Sequence, residues 1–384
     1  MRDNAVKSNV NSNRIEYFDI VRGIGIIMVI MGHTGFLFDS LKHVFFGFHM
    51  PVFFVVSGML MCIKGEENLE VSVLWKKKLK SLMIPYFWFS IIYVIIYFVS
   101  CMLGTMSWEE FRQSTIYMLT LFGDSTLWFL PALLFSETGY MVLKKVIKQV
   151  LEKSKSNSNS NSNVFVFLAS ILLGIVCYLG QYLITPIWAS NVNNLIVTNV
   201  IDFVRGFLRA GISISFVAAG YFAVEIFPNI FGENLDNTGR TSAKSRFSTF
   251  GIGMVLLIAS VLASLNNDIV DYHRIVLGNY VLFIIGAMTG SFGLVFISIG
   301  INRMRLLSFW GRNSLIIMCT HLNFYVLFGA IKWAWFIDNW VSRAKSYVFM
   351  FNIVVAALVV ESILIVLINR FCPFVLGKKS IRKA

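Results

Sequence analysis

The run Tyr17-Phe-Asp-Ile-Val-Arg-Gly-Ile-Gly-Ile-Ile-Met-Val-Ile-Met-Gly-His33 is apolar enough to lie in a bilayer, yet it carries ionisable side chains. From Ile20 to Phe38 nearly every residue is apolar or glycine, and Arg22 and His33 interrupt the run. Their separation of eleven residues is close to three whole helical turns, so both side chains fall on one face, roughly 16 Å apart along the axis. Asp19, one turn before Arg22, falls near the same stripe. Ionisable groups on a spanning helix are costly in lipid, so this stripe must face a protein interior or a wet cavity. The helix is therefore expected to carry catalytic groups, with other helices walling them in.

The rest of the chain supplies those walls. Of 384 residues, 57% are hydrophobic and 14% charged, more apolar surface than a water-soluble fold can cover. The predicted class is an all-α, polytopic integral membrane helix bundle. Ten apolar segments are long enough to span with some tilt: 20–38, 44–63, 83–103, 127–143, 164–184, 208–227, 248–265, 276–301, 314–334 and 347–369. Outside these segments, 24 Lys and Arg residues fall in the even loops and the two tails, and 6 in the odd loops. By the positive-inside rule both termini are then cytoplasmic, and one missed or invented helix would scramble the alternation. The same one-sidedness removes the nucleic-acid reading that a net charge of +13 invites.

No cleavable signal peptide is visible, because no small-residue cleavage site follows the first apolar run. The expected organisation is a polar cytoplasmic tail at 1–16, a ten-helix membrane domain at 17–369 and a basic cytoplasmic tail at 370–384, with no soluble catalytic domain appended. The polar run SKSNSNSNSN at 154–163 cannot bury a core and is expected to be a disordered cytoplasmic tether. Five scattered cysteines suggest neither a disulfide framework nor a metal site.

Any chemistry then has to occur inside the bundle. His33 falls in the outer half of the bilayer. An imidazole there either hydrogen-bonds a neighbouring helix or, with an ordinary pKa of about 6.5, takes a proton from a hydroxyl at neutral pH. Arg22 and Asp19 on its face favour the second reading. Arg22 itself either snorkels and pairs with Asp19, or holds a phosphate or acyl carbonyl as a fixed cation. In the second span, FHMPVFFVVSG, Pro51 frees the carbonyl of Gly47 and permits a kink. Ser57 and Gly58 suit close helix packing, and His49 lies at a depth comparable to His33. Lys76, Lys77, Lys78 and Lys80 suit topology and anionic lipid, or the phosphates of an anionic donor. Trp128 is an aromatic-belt residue or a platform for a sugar ring. His321 is a further intramembrane imidazole, placed lower in the bundle than His33. Glu137, Arg209, Lys332 and Glu361 read as buried pairing partners, and Gly286 and Gly290 as a packing pair.

Five runs in order, IEYFDIVRGIGIIMVIMGH, FHMPVFFVVSG, KSLMIPYFWF, LWFLPALLF and GRNSLIIMCTH, make the chain resemble the membrane acyltransferase type 3 family, and within it the fucose 4-O-acetylase-like branch. Arg22 and His33 match the Arg-x10-His pattern of that family's first helix. The resemblance implies an integral-membrane, predominantly bacterial enzyme with ten core helices. Such enzymes move an acyl group, usually acetyl from cytoplasmic acetyl-CoA, onto hydroxyls of surface glycans. By position, His33 is implied as the catalytic base and Arg22 as its partner in donor binding or acyl positioning. Asp19, His49, Ser57, Trp128 and His321 are candidates to support the site or line its cavity. Relatives often carry arginines in the second cytoplasmic loop, where this chain has Lys76, Lys77, Lys78 and Lys80. Lysine binds phosphate as a point charge, without the bidentate fork.

The expected activity is O-acyl transfer in the cell membrane, from acetyl-CoA or another acyl-CoA to a carbohydrate, with no metal ion. A transporter or flippase for a glycan or lipid-linked sugar accounts equally well for the helices and the polar stripe, though no half-to-half repeat is visible. A non-catalytic assembly partner is the third reading.

Overall fold

The computed structural model describes residues 15–153, 159–231, 243–341 and 347–378. Among the described residues the chain is helical, with no strand beyond one isolated bridge between Asp271 and Val276. In order the helices are α1 (Glu16–His33), α2 (Asp39–Phe48), α3 (Pro51–Ile63), α4 (Val71–Lys78), α5 (Ile84–Met102), α6 (Trp108–Leu119), α7 (Phe129–Lys153), α8 (Asn159–Ser190), α9 (Leu195–Ile226), α10 (Pro228–Phe231), α11 (Ala243–Leu265), α12 (Tyr280–Ile301), α13 (Arg305–Arg312), α14 (Ser314–Thr320), α15 (Val326–Val341) and α16 (Tyr347–Phe371).

Seven helical stretches among the described residues are long and apolar enough to cross a membrane: Asp39–Ile63, Val71–Met102, Ser162–Ser190, Leu195–Ile226, Arg246–Leu265, Tyr280–Ile301 and Val348–Phe371. The expectation of ten differs from this number for identifiable reasons. Helix α1 carries Glu16, Asp19 and Arg22, and α7 carries Glu137 and a lysine-rich second half, so neither is uniformly apolar. The expected ninth span is broken into the short helices α14 and α15.

Burial explains how α1 tolerates its charges. It is an inner helix, with Tyr17, Phe18, Asp19, Ile20, Val21, Ile26, Val29 and Ile30 all buried. Helices α3 and α9 are inner as well, 78% buried over their apolar windows, whereas α8 and α11 are 17% and 22% buried and turn large apolar side chains outward. Peripheral helices therefore meet lipid while the charged ones meet protein. Two glycine crossings bring the inner helices together. A Cβ on Gly58 would stand 1.9 Å from the Val217 carbonyl oxygen, and one on Gly220 would stand 2.0 Å from that of Val55, so α3 and α9 touch backbone to backbone. Gly311 does the same for α13 against the Asp19 carbonyl of α1, at 1.7 Å. The packing roles expected of Gly58, Gly286 and Gly290 match these surroundings; Gly290 lies against the Phe48 ring and Ser260.

At Pro51 the regular helix hydrogen bonding lapses over His49 and Met50, both still in the right-handed helical region, so α2 and α3 remain one span with Pro51 in the first turn of α3, where its missing N–H costs nothing. Two helix readings need correction. The sixth span begins well before residue 208, because α9 starts at Leu195 with Asn194 as its cap. Arg205 is thereby inside a helix, paired one turn away with Asp202 at 3.0 Å. The ninth span ends at Thr320 and resumes at Val326. Of the expected tether at 154–163, residues 154–158 lie outside the described residues and α8 begins at Asn159.

Candidate active site

The break after Thr320 sets up the centre of the molecule. Ending a helix orphans its last carbonyls. Here two distant side chains satisfy them: Thr126 donates to the Met318 carbonyl at 2.6 Å and Tyr93 to the Cys319 carbonyl at 2.6 Å. Thr320 donates to Glu361 of α16 at 2.6 Å. So fixed, the turn delivers His321, fully buried, to the end of α1, where its Nε2 lies 3.1 Å from Nδ1 of His33. The expectation that His321 lies lower in the bundle than His33 is wrong: the two rings are neighbours, 5.1 Å apart. The unforeseen interruption of the ninth span puts them side by side.

Hydrogen bonding assigns the tautomers. His321 Nδ1 lies 2.7 Å from the Ile317 carbonyl, which only accepts, so that nitrogen carries a proton. A neutral His321 then presents a lone pair at Nε2, which takes the proton on His33 Nδ1. The lone pair of His33 is left on Nε2. His33 is the accessible member of the pair, and it lines a cavity of about 560 Å³. His49, also buried, lines the same cavity; its Nδ1 donates to the Phe45 carbonyl at 2.7 Å. Trp128 lines it too, stacked on His273 at 5.5 Å with 12° between the planes. Behind them Arg209 donates to the carbonyls of His273 and Phe122 at 2.8 and 2.7 Å, and its guanidinium lies 4.7 Å from the Trp128 ring. Burial together with Arg209 and Arg274 holds the His273 imidazole well below its ordinary range, so that ring stays neutral near pH 7.

A second cavity, of about 230 Å³, opens towards the Glu16 end of α1. It is lined by Arg22, Lys78 and Arg312, with Ser57, Ser81 and the carboxylate of Glu137. Lys78 pairs with Glu137 at 3.0 Å and with Glu66 at 2.9 Å, and Ser57 donates to Glu137. Lys78 is thus met by two carboxylates, and the wall sets Arg22 and Arg312 beside that ion-pair cluster. This volume is below the roughly 300–1,000 Å³ of whole-ligand pockets, so the cavity suits part of a ligand, such as a phosphate group. Met318 lines both cavities. Neighbours in sequence also divide between the two: Met50 and Trp128 face the histidine side, Phe53 and Phe129 the arginine side.

The predicted site residues thus fall into two groups. His33, His49, Trp128 and His321 are brought together, and so are Arg22, Ser57 and Lys78. Asp19 is buried on α1 but lines neither cavity. The lysine run is split: Lys77 pairs with Glu66 at 2.8 Å, Lys76 is exposed, and Lys80 borders a separate groove with Trp88 and Phe374. Buried pairing is found for Glu137, Arg209 and Glu361, whereas Lys332 stands exposed over the Phe328 ring. Sequence reading passed over Arg312, which lies inside the quoted GRNS run, and the loop Asp271–Arg274, which carries no pattern of its own.

The family model described as an acyltransferase domain, of the acyltransferase 3 type, matches residues 15–368 and so takes in both cavities. No curated protein and no solved structure matches the chain.

Proposed function

The chain belongs to the acyltransferase 3 family, and from that premise we propose that it is an O-acetyltransferase of the fucose 4-O-acetylase-like branch, taking acetyl from cytoplasmic acetyl-CoA to a hydroxyl of a surface or lipid-linked carbohydrate. That it is a multi-pass membrane acyltransferase follows from the family and the long apolar helices. The finer reading adds ten spans, with α1, α7 and the α14–α15 pair crossing alongside the seven apolar stretches. It also adds cytoplasmic termini at 1–16 and 370–384, and residence in the plasma or inner membrane. Family membership gives no support to a transporter.

One observation carries the reading: two cavities at opposite ends of α1 meet at Met318, one rich in cations and the other holding a histidine with a lone pair to offer. Arg22, Arg312 and Lys78 hold donor phosphate, and Glu137 keeps Lys78 in place. The pantetheine arm covers the roughly 16 Å from Arg22 to His33. His33 Nε2 takes the acceptor's hydroxyl proton while that oxygen attacks the thioester carbonyl. The tetrahedral intermediate collapses with loss of the CoA thiolate, which recovers the proton from His33. The products are the acetyl ester and free CoA. His321 and His49 position this chemistry without touching the reacting atoms.

Mass spectrometry of surface polysaccharide from cells with and without the gene tests the proposal. The expected result is a sugar residue heavier by one acetyl group only when the gene is present. Identical spectra, with the protein present in the membrane, would overturn it.

A further inference from the structure

A third cavity, of about 660 Å³, lies at the His33 end, between the last turns of α8, the first turns of α9 and the Asp271–Gly278 loop. It is within the range of whole-ligand pockets. His273 and Arg274 line both this cavity and the His33 cavity, so the two share a wall. Aromatic faces dominate the lining, from Tyr117, Tyr178, Tyr182 and Trp188.

Four polar atoms around this cavity are buried with no protein partner among the described residues: Gln181 Oε1, Trp188 Nε1, Arg205 Nε and His273 Nε2. Gln181 is 5% exposed and Arg205 8%. Each such atom destabilises the fold unless something else completes its hydrogen bonding, and a cluster of four around one cavity calls for a common explanation. The chemistry of the set is mixed. Trp188 and Arg205 donate, Gln181 Oε1 accepts, and His273 contributes a ring nitrogen. Net charge is nearly cancelled: Asp202 pairs with Arg205 at 3.0 Å and accepts from Tyr117 at 3.1 Å, and Arg274 faces Asp271 at 3.9 Å. A phosphate would require uncancelled cations, and a hydrocarbon chain would leave all four atoms orphaned. A sugar ring satisfies both demands. Its hydroxyls donate and accept, and its flat C–H faces lie on aromatic rings.

We propose that this cavity is a second sugar subsite, which holds the residue next to the one being acylated, so that the true acceptor is an oligosaccharide or longer glycan rather than a monosaccharide. The inference rests on the carbohydrate-acceptor reading above. The reactive hydroxyl sits at His33, and the chain continues over the Trp128–His273 stack into the aromatic cavity. Two added hydrogen bonds and a stacking face correspond to about a tenfold gain in acceptor affinity.

The test uses the full chain purified in detergent with labelled acetyl-CoA. Acceptors are surface polysaccharide from the source cells, de-O-acylated with mild base, hydrolysed and sized into mono- to tetrasaccharides. The wild type is expected to prefer tetrasaccharide over monosaccharide in kcat/KM by about tenfold, carried by KM. Trp188→Phe, which keeps a ring and loses the N–H, should collapse that preference to about threefold or less while melting at the wild-type temperature, and Gln181→Leu should collapse it too, with a lower melting temperature because it also gives up the Nε2 bonds to Thr185 and the Arg274 carbonyl. Equal kcat/KM for the two lengths in the wild type, which requires no variant, overturns the subsite and leaves sugar acylation standing. Variants that keep the full preference overturn it too. Label on no sugar of any length overturns the acceptor reading itself.

Discussion

At the level of single residues, His33 is set apart by what surrounds it rather than by being a histidine. His33, His49 and His321 each bond the backbone carbonyl one turn earlier, and what distinguishes His33 among the described residues is an accessible ring set beside a second imidazole, that of His321. His33→Ala should lower kcat by about 10²–10⁴-fold, with the donor KM little changed, in a radiolabelled acetyl-transfer assay on membranes. Full transfer by a normally inserted variant would refute the assignment. On the proposed mechanism His321 is a positioning residue, which a pair of variants tests. Phenylalanine at 321 keeps the bulk and removes the acceptor, and should cost about 10- to 100-fold in kcat. Glutamine at 321 offers an amide oxygen to His33 and should restore most of it; equal loss in both variants would mean that 321 only fills space. The histidine at 33 was legible from the sequence because an apolar helix cannot carry a stray charge cheaply. Arg312 and His273 were not, since a basic residue in a loop is the ordinary result of topology and only the fold turns these towards cavities.

Among elements, the interrupted ninth span is the part on which the site depends. Hydropathy finds apolar helices and misses their breaks when the compensating groups are far away in sequence. Tyr93 and Thr126 lie about two hundred residues before the carbonyls they satisfy, and no local pattern announces them. By contrast the close approach at Gly58 was readable, because glycine next to a small polar residue permits it wherever the partner comes from, though the partner itself, α9 with Gly220, was not. Tyr93→Phe leaves the Cys319 carbonyl buried without a donor, at a cost of about 1–3 kcal/mol. Detergent melting should drop by several degrees and kcat should fall with it, since His321 hangs on that turn; unchanged melting would show that the bond contributes little. The short turn between α3 and α4 responds to acid. Burial alone would raise the Glu66 carboxyl, but Lys78 and Lys77 outweigh it and hold Glu66 below its ordinary value of 4.5. A carboxylate lowered by folding adds stability above its unfolded pKa and loses it as pH falls through the folded one. Melting of the wild type should therefore decline below about pH 4.5 more steeply than that of Glu66→Gln. Parallel curves would mean that Glu66 is not held by its lysines.

For the whole molecule, the proposed reaction makes the arrangement of cavities a relay. Under that proposal donor phosphate is held by charge in the Arg22 cavity, the acceptor is read in the His33 cavity, and Met318 lines both. That Arg22 and His33 lie well apart along one helix was legible from their spacing; that Met318 belongs to the walls of both cavities was not, because no pattern in the sequence marks it. Methionine suits a gate, since its three rotatable bonds let it vacate a narrow path without moving a helix. An enzyme that brings a thioester to a wet site must keep water from spending it. Met318→Ala should therefore leave the path open, raising acetyl-CoA hydrolysis in the absence of acceptor by about three- to tenfold while less of the consumed donor reaches sugar. Met318→Trp should have the opposite effect. Acetyl transfer falls by about tenfold or more, yet the donor still binds, since Arg22, Lys78 and Arg312 are untouched. Measuring CoA release and sugar ester in the same reaction separates these outcomes. If both variants keep the wild-type ratio of ester formed to CoA released, and the wild-type rate, the donor reaches His33 by a route that does not pass Met318, and the two cavities are neighbours without being connected.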